Sequence, residues 1–309
     1  MDWILYICNA LAVPACSPLV LGIIRKTKAR MQNRKGASVL QPYRDLAKLF
    51  RKDEIISEDA SWVFTAAPYV IFGTTLALAA GVPLISPYLV FIPMADILVF
   101  IYILAAGTFF LALAGMDTGS GFGGFGASRE MMISAIAEGG FILSLIAASF
   151  IAGTSNLAAM ILPLSHTQTP LLLPLILAGV AFGIVLLAEN ARYPVDNPST
   201  HLELTMVHEA VILEFSGTRL ALMEWAASNK LLIFIAVFVN LFFPWGLAFS
   251  LSPSALATAS AIFFGKVVFA GVAIGLIESI MAKFRIFRVP DLLYTSCVLS
   301  IIAILIVVI

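Results

Sequence analysis

The chain has 309 residues, of which 61% are hydrophobic and only 12% are charged, and its mean hydropathy is +1.02. Soluble domains carry about 25% charged residues, so this composition excludes a soluble globular protein. The 18 basic and 18 acidic residues balance to a formal net charge of zero, and we expect no nucleic-acid partner.

Eight apolar segments are long enough to cross a bilayer, because a hydrocarbon core of about 30 Å requires about 20 helical residues. These segments are continuously apolar and lack the alternation of barrel strands. The sequence therefore predicts an all-α polytopic membrane protein with eight transmembrane helices, in which residues 1–309 form a single integral membrane domain. We place the spans near residues 3–24, 61–82, 95–115, 131–152, 171–189, 230–251, 258–282 and 291–309.

The basic residues are distributed unevenly among the loops, and this distribution predicts the orientation. The first loop carries Arg25, Lys26, Lys28, Arg30, Arg34, Lys35, Arg44, Lys48, Arg51 and Lys52, whereas the second, fourth and sixth loops carry no basic residue. The positive-inside rule places the odd-numbered loops in the cytoplasm and both termini outside. We expect this multi-pass protein in the plasma (cytoplasmic or inner) membrane.

Part of the first loop is too apolar for a solvated linker. From Pro42 onward it predicts a short amphipathic cytoplasmic helix on the membrane surface. Its basic residues suit either anionic lipid headgroups or a cytoplasmic partner protein, and the sequence leaves both open. The residues expected at an interface with a partner are Arg25, Arg30, Arg34, Arg44, Asp45 and Lys48.

The third loop contains Gly121, Gly123 and Gly126 in the GxGxxG spacing of a dinucleotide-binding loop. That motif requires a preceding strand, whereas here it lies between two membrane helices, so we reject it. The glycines are instead expected to form a tight turn at the membrane surface. Ser128 is the expected N-cap of span four, with Glu130 in its first turn.

Span four places Glu138 about nine residues into the helix, which is ~14 Å deep and near the bilayer midplane. A carboxylate at this depth costs at least roughly 2.5 kcal/mol and usually marks an ion or proton path. A protonated glutamate that bonds to a neighbouring helix is the structural alternative.

The most polar part of the chain is the stretch 189–225. It contains five glutamates, and only Arg192 and Arg219 are available within it to neutralise them. Carboxylates at a membrane edge with too few cations are typical of proton or ion traffic. The predicted proton or ion pathway comprises Glu138, Glu189, Glu203, Glu209, Glu214, Glu224, Arg192 and Asp196.

Some residues of this stretch also fit roles in helix capping or metal binding. Thr200 and Glu203 have the spacing of a capping box, and the helix that they open would place Glu203 and Glu214 on one face. His201 and His208 could bind a metal together with the acids, but no HExxH motif is present. We expect neither a metal nor another cofactor in this chain.

The secondary candidates for the pathway are Lys266, Glu278, Asp291 and Glu130. Lys266 and Glu278 lie twelve residues apart in span seven and do not form an obvious pair on one helical face. For Glu278 and Asp291, we expect salt bridges at the membrane surface with the basic residues that lie between them. These basic residues are Lys283, Arg285 and Arg288.

Three stretches together resemble the quinone-site membrane subunit of respiratory complex I and its relatives in energy-converting NiFe hydrogenases. They are ARMQNRKGASVLQPYRDLAKL after span one, GASRE with Glu138 downstream, and AENARYPVDNPSTHLELT, which is similar to the family segment AExxRxPFDxPExExEL. The resemblance covers nearly the whole chain. It implies eight spans with external termini, and cytoplasmic loops 25–60 and 190–229 that form the interface to a peripheral arm.

Two departures from complex I favour the hydrogenase branch. Ser199 and His201 stand where complex I members carry two further acids, and the segment VHEAVILEFSG is longer than its complex I counterpart. Both features resemble the group 4 membrane-bound hydrogenases, including formate hydrogenlyase and hydrogenase-4 type complexes. They weigh against quinone binding.

The resemblance implies a membrane anchor and coupling subunit, itself non-catalytic or co-catalytic. It would link electron transfer in the peripheral arm to proton or sodium translocation through a row of glutamates. The nickel–iron centre and the iron–sulfur clusters would belong to partner subunits. The implied partners are hydrogenase large and small subunits, a ferredoxin-like iron–sulfur subunit, antiporter-like membrane subunits and membrane lipid.

Two other functions stay open at this point. The first is a quinone-binding membrane subunit of a complex I-like NADH or ferredoxin:quinone oxidoreductase. The second, a stand-alone ion transporter, is less favoured because no inverted repeat is evident in the sequence.

Overall fold

The computed structural model describes residues 2–166, 169–196 and 206–309. Within these ranges the chain forms helices and no strands, apart from one isolated antiparallel bridge between Asp96 and Asn156. The helices are α1 (Asp2–Met31), α2 (Gln41–Leu49), α3 (Trp62–Gly81), α4 (Ile97–Asp117), α5 (Gly121–Ala152), α6 (Leu157–Ser165), α7 (Thr169–Glu189), α8 (His208–Val211), α9 (Gly217–Leu241), α10 (Pro253–Ile280) and α11 (Val289–Val308). Two short 3₁₀ turns cover Ile92–Met94 and Ile286–Arg288.

Eight of the described helices are long and apolar enough to cross a membrane, namely α1, α3, α4, α5, α7, α9, α10 and α11. This confirms the predicted all-α, multi-pass architecture. Helix α2 confirms the amphipathic helix expected from Pro42, because Pro42 and Leu46 are buried while Arg44 and Lys48 are exposed. The orientation of the termini stays a prediction from the basic residues.

Helix α9 lies at the centre of the bundle and packs against α1, α3 and α10. Its residues 231–237 are all buried. The ring centroid of Phe234 lies 5.3 Å from that of Phe141 on α5 and 6.0 Å from that of Phe182 on α7. Since lipid tails are as apolar as these side chains, close packing rather than exclusion of water holds such helices together.

Helix α5 begins at Gly121 rather than near residue 131, so the glycine-rich segment is helical. The expectation of a tight turn with Ser128 as N-cap is therefore wrong. Ser120 is the N-cap, because its Oγ accepts a hydrogen bond of 3.1 Å from the Gly123 amide. A Cβ at Gly123 would collide with the carbonyl oxygen of Gly115 on α4, so glycine is required for this close approach.

Other helices also differ from their predicted bounds. Helix α9 covers Gly217–Leu241 instead of the predicted 230–251. The prediction missed the first turns of this helix because they carry Arg219 and Glu224 and therefore lack the hydropathy of a span. Residues 242–251 form a loop, after which Ser252 caps α10. Helix α1 continues past its predicted end near residue 24 to Met31.

The acidic segment before α9 is not the long helix that the sequence predicts. Among the described residues 206–216, only the four residues of α8 are helical. The ring of Phe215 stacks on Phe64 of α3 with 4.0 Å between centroids and holds this segment against the bundle. The predicted capping box of Thr200 and Glu203 lies outside the described residues, as does His201.

Candidate functional site

A cavity of about 160 Å³ lies among α1, α3, α4, α5 and α9 and is also lined by residues at and just after the end of α7 and around α8. Leu78, Leu104 and Leu111 contribute to an apolar wall. The lining also gathers ionisable side chains from distant parts of the sequence. These are Arg25, Glu130, Glu189, Arg192, His208, Glu209, Glu224 and Lys230.

Glu189, the last residue of α7, is held in this cavity by two neighbours. Its Oε2 lies 2.7 Å from Nζ of Lys230 on α9, and its Oε1 accepts a hydrogen bond of 3.3 Å from Ser134 on α5. The Glu189 side chain is only 2% exposed and that of Lys230 is 20% exposed. Such a pair is sensitive to change, because removal of one partner leaves an uncompensated buried charge.

Glu130 on α5 faces His208 in the segment before α9, with 3.8 Å between Oε1 and Nδ1. Burial alone would lower the pKa of His208, but the Glu130 carboxylate outweighs this effect and raises the pKa above its usual value. Arg129 Nη1 donates to the Met206 carbonyl oxygen at 3.0 Å, and the His208 amide donates to Asp196 at 3.4 Å. His208 is thus a titratable contact between α5 and the segment before α9.

Glu278 on α10 does not form the predicted salt bridge with the basic residues that follow its helix, and that prediction is wrong. Its Oε1 lies 3.2 Å from Nη1 of Arg192, and its Oε2 lies 3.4 Å from Nζ of Lys28. Lys28 reaches Glu278 because α1 and α10 pack side by side. Burial lowers the pKa of Arg192, although the negative charge of Glu278 opposes that shift. This buried group joins α1, α10 and the residues after α7.

The cations that the sequence offers as partners of the acidic stretch bind elsewhere. Arg219 pairs with Glu54 in the loop after α2, and Arg192 pairs with Glu278. Conversely, Asp196 receives Lys283 from beyond α10, at 2.5 Å between Oδ1 and Nζ. Cations from other parts of the fold thus pair with Glu189 and Asp196, whereas Glu209, Glu214 and Glu224 form no ion pair with the described residues.

Glu138 lies near the middle of α5 and is half-buried. It shares a helical face with Glu130 and Ser134, since residues four apart stack on one side of a helix. Ser134 bonds to Glu189, and Glu138 is close enough to Glu189 for their charges to interact. Among the described residues, no cation forms an ion pair with Glu138. Glu138 thus extends the polar face of α5 beyond the cavity.

The remaining pathway candidates are divided between the cavity and the surface. Glu209 and Glu224 line the cavity. Glu214 and Asp291 are exposed and do not line the cavity. Glu203 lies outside the described residues, so its position relative to the cavity is not defined.

Lys266 lies away from the cavity, beside the C-terminal end of α9. Its Nζ donates to the carbonyl oxygen of Phe243 at 2.6 Å, to that of Val239 at 3.3 Å and to Oδ1 of Asn240 at 3.4 Å. The ring centroid of Trp245 lies 4.6 Å from the same Nζ. These bonds satisfy carbonyl groups that the end of α9 leaves without helical partners.

The predicted interface residues mostly lie on one exposed surface. Arg25 at the end of α1 lies 3.8 Å from Asp45 on α2, and both side chains are at least a third exposed. The other members of the set are all exposed: Arg30, Arg34, Arg44 and Lys48. Their role as an interface stays a prediction.

Sequence reasoning missed several cations that face the acids. The sequence singles out Lys28 only as one of the basic residues that predict the orientation, and His208 only as a candidate metal ligand. Because span six was predicted to begin near residue 230, Lys230 resembled an ordinary flanking lysine. A correct helix start at Gly217 would have marked it as a charge inside a membrane helix, which is a sign of function.

Comparisons with known proteins agree with this architecture. A family model described as NADH dehydrogenase matches residues 4–309. Formate hydrogenlyase subunit 4 of Escherichia coli (strain K12) is 33% identical over 288 residues, which cover 93% of each chain. Hydrogenase-4 component C of the same organism is 35% identical over 270 residues, or 87% of this chain and 84% of that protein. An NADH-quinone oxidoreductase subunit of Anaplasma phagocytophilum (strain HZ) is 30% identical over 244 residues, which cover 71% of this chain and 69% of that protein.

A solved structure has the same fold. A chain of the membrane-bound sulfane sulfur reductase, an archaeal respiratory membrane complex, has a TM-score of 0.86 over 99% of both chains at 20% identity. The eight-span bundle and these relatives define the class of the protein, which is a multi-pass membrane protein related to subunits of formate hydrogenlyase, hydrogenase-4 and NADH-quinone oxidoreductase. The chain belongs to the NADH dehydrogenase family of complex I subunit 1-like proteins, with formate hydrogenlyase and hydrogenase-4 subunits among its relatives. This confirms the resemblance predicted from the sequence.

Proposed function

We propose that this chain is the membrane anchor and coupling subunit of an energy-converting NiFe hydrogenase-type complex in the plasma membrane. It holds a peripheral arm at the loops 25–60 and 190–229, and it couples electron transfer in that arm to proton or sodium movement. The nickel–iron centre and iron–sulfur clusters belong to the hydrogenase large and small subunits and a ferredoxin-like subunit. Antiporter-like membrane subunits complete the ion path.

The observation that carries this proposal is the cavity that gathers Glu130, Glu189, Glu209 and Glu224. His208 contacts Glu130 and Lys230 contacts Glu189 within it. Ionisable groups are costly inside a membrane bundle and are rare there unless they serve a path for charge. The pairs in this cavity join α5, α7 and α9, so a change in one pair acts on three helices. A proton or ion path is therefore a better account of the cavity than structural pairing alone.

The geometry suggests how the chain's own residues would move a proton. A redox change in the arm would act on the segment before α9 and alter the contact of His208 with Glu130. Along one face of α5, Glu130 is followed by Ser134, which bonds to Glu189, and then by Glu138. A proton could pass along this face toward the middle of the membrane. Titration would belong to the group as a whole and not to single residues.

The choice of branch is supported by the relatives named as subunits of formate hydrogenlyase and hydrogenase-4, which match most of this chain. A quinone-binding subunit is the second candidate, and the relative named as an NADH-quinone oxidoreductase subunit favours it. The apolar wall of the cavity, formed partly by Leu78 and Leu104, would also suit a quinone.

Purification of the tagged chain from its native membrane in a mild detergent tests the proposal. We expect partner subunits that carry both nickel and iron, together with hydrogen evolution from a reduced donor. Iron without nickel and activity toward a quinone would favour the second candidate. A lone or homo-oligomeric chain would contradict both and indicate a stand-alone transporter.

A further inference from the structure

Helix α1 passes through two buried prolines, Pro14 and Pro18, before it ends at Met31. We call residues 14–18 the proline turn. Because proline has no amide hydrogen, Pro18 leaves the Pro14 carbonyl oxygen without its donor in the helix. Helices bend at prolines, so the part of α1 after the proline turn needs outside contacts to fix its direction.

Helix α9 supplies the missing donor. Trp225 Nε1 donates to the Pro14 carbonyl oxygen at 2.9 Å. The indole ring is held in place, because its centroid lies 5.1 Å from that of Phe72 on α3. One turn further along α9, Asn229 Oδ1 accepts a hydrogen bond of 2.7 Å from the Ser17 hydroxyl group. Two successive turns of α9 thus bind the proline turn.

Helix α2 binds the same part of α1. The Tyr43 hydroxyl group donates to the Ala15 carbonyl oxygen at 2.5 Å, next to the oxygen that Trp225 bonds. In the loop before α2, the Val39 carbonyl oxygen packs so closely on α1 that a Cβ at Gly22 would collide with it. The proline turn therefore joins the central helix of the bundle to the amphipathic helix of the predicted interface.

The part of α1 after the proline turn brings Arg25 to the lining of the candidate site. Arg25 lies 3.8 Å from Asp45 on α2 and is close enough to Glu224 for their charges to interact. Glu224, the residue before Trp225, forms no ion pair with the described residues. The direction of α1 after the proline turn therefore decides how near a cation comes to this acid.

We propose that Trp225 is a positioning residue for the cavity. Its bond to Pro14 sets the direction of α1 after the proline turn and so holds Arg25 near Glu224. Tyr43 links the same turn to α2, so a partner bound to α2 acts on the position of Arg25. The part that Arg25 plays in ion movement rests on the proposed coupling function, whereas the position of α1 does not.

Pulsed EPR measures the position of α1 in the purified full-length chain in lipid nanodiscs. Spin labels are attached at Arg30→Cys, exposed at the end of α1, and at Ser128→Cys, exposed on α5. Serine first replaces the chain's own cysteines, Cys8, Cys16 and Cys297. Over the twelve residues from Pro18 to Arg30, a change of 20° in the bend moves the end of α1 by about 6 Å.

Trp225→Phe removes the N–H donor and keeps an aromatic ring against Phe72. We expect this variant to shift or broaden the distance between the labels by several Å. Trp62→Phe is the matched control, since Trp62 is 72% exposed, and it should leave the distance unchanged. A distance that is unchanged in Trp225→Phe would overturn the proposal.

Pro18→Ala separates positioning from the mere bonding of one carbonyl group. The amide of the new residue donates to the Pro14 carbonyl oxygen, so the double variant Pro18→Ala with Trp225→Phe lacks no bond there. We expect it to recover the unfolding temperature that Trp225→Phe lowers, while the distance between the labels stays different from that of the unchanged chain. Recovery of both quantities would show that Trp225 only satisfies a carbonyl group, and would overturn its positioning role.

The link to Arg25 is tested with the complete complex in proteoliposomes. Trp225→Phe and Arg25→Gln should each lower the membrane potential severalfold, and their combination should lower it no further, because both act through Arg25. Losses that add up in the double variant would overturn this link. Absence of a membrane potential in the unchanged complex would instead contradict the proposed coupling function, and the EPR distances would still decide the position of α1.

Discussion

Lys230 and Glu189 join α9 to α7 through a buried ion pair within the cavity. Lys230→Met keeps the apolar length of the side chain but leaves the Glu189 carboxylate without its cation. Breaking a buried pair in this way costs about 3–5 kcal/mol. We predict a clear fall in the unfolding temperature of the protein in detergent, measured by the change in tryptophan fluorescence on heating.

The double variant Lys230→Met with Glu189→Gln removes both charges and should recover part of the lost stability, because no uncompensated charge remains. Arg30→Met is the matched control, since Arg30 is exposed at the end of α1 and should change the unfolding temperature little. If the double variant is as unstable as the sum of the single variants, the two residues do not act as a pair.

His208 makes the segment before α9 sensitive to pH. Its pKa in the folded protein is raised above the ordinary value of 6.5, so the Glu130 contact stabilises the fold fully below that value. The stabilisation is lost as pH rises through the raised pKa. We therefore predict that amide hydrogen exchange at Val207 and Ile212, corrected for intrinsic rate, becomes faster as the pH rises above about 6.5.

The variant His208→Gln should remove this pH dependence, because glutamine does not titrate. His166→Gln is the control, since His166 is exposed after α6 and should leave the dependence intact. Exchange that changes with pH equally in both variants would show that another group is responsible.

At the level of elements, helix α5 depends on glycine where the segment before α9 crosses it. A Cβ at Gly126 would lie 2.8 Å from Cβ of Ala210 and 3.0 Å from the Val207 carbonyl oxygen, whereas a Cβ at Gly124 would meet nothing within 4 Å. Gly126→Leu should therefore displace this segment and destabilise the protein by about 1–3 kcal/mol. Gly124→Leu is the matched control. Equal unfolding temperatures for the two variants would contradict the close packing.

The eight spans could be predicted because a membrane helix must be continuously apolar over its whole crossing. The starts of α5 and α9 could not be predicted, because their first turns pack against protein rather than lipid and carry glycines or charges. Glu138 and Glu189 could be singled out from the cost of a buried carboxylate alone. Lys28 could not be predicted as a partner of Glu278, since it lies in α1 and only the packing of α1 on α10 brings the two side chains together.

At the scale of the whole molecule, the exposed basic surface of α1 and α2 should carry the peripheral arm. Simultaneous neutralisation of Arg30, Arg34, Arg44 and Lys48 should release the arm at lower salt than in the unchanged complex, because exposed charges are screened over ~8 to 10 Å at physiological ionic strength. Gel filtration of the complex over a salt series measures this release. Cross-links from position 44 should reach the arm. Cross-links that reach only lipid would contradict the docking surface and would indicate headgroup binding.

The proposed coupling role depends most directly on Glu138, which continues the polar face of α5 to the middle of that helix. Glu138→Gln keeps the shape and the hydrogen-bonding groups of the side chain but removes its titratable proton. The complex carrying this variant is reconstituted in proteoliposomes, and electron transfer and membrane potential are measured together. The exposed Glu58→Gln is the control. We predict intact assembly and electron transfer with a membrane potential that falls severalfold in Glu138→Gln only. Intact electron transfer with an unchanged membrane potential would contradict the proposed path.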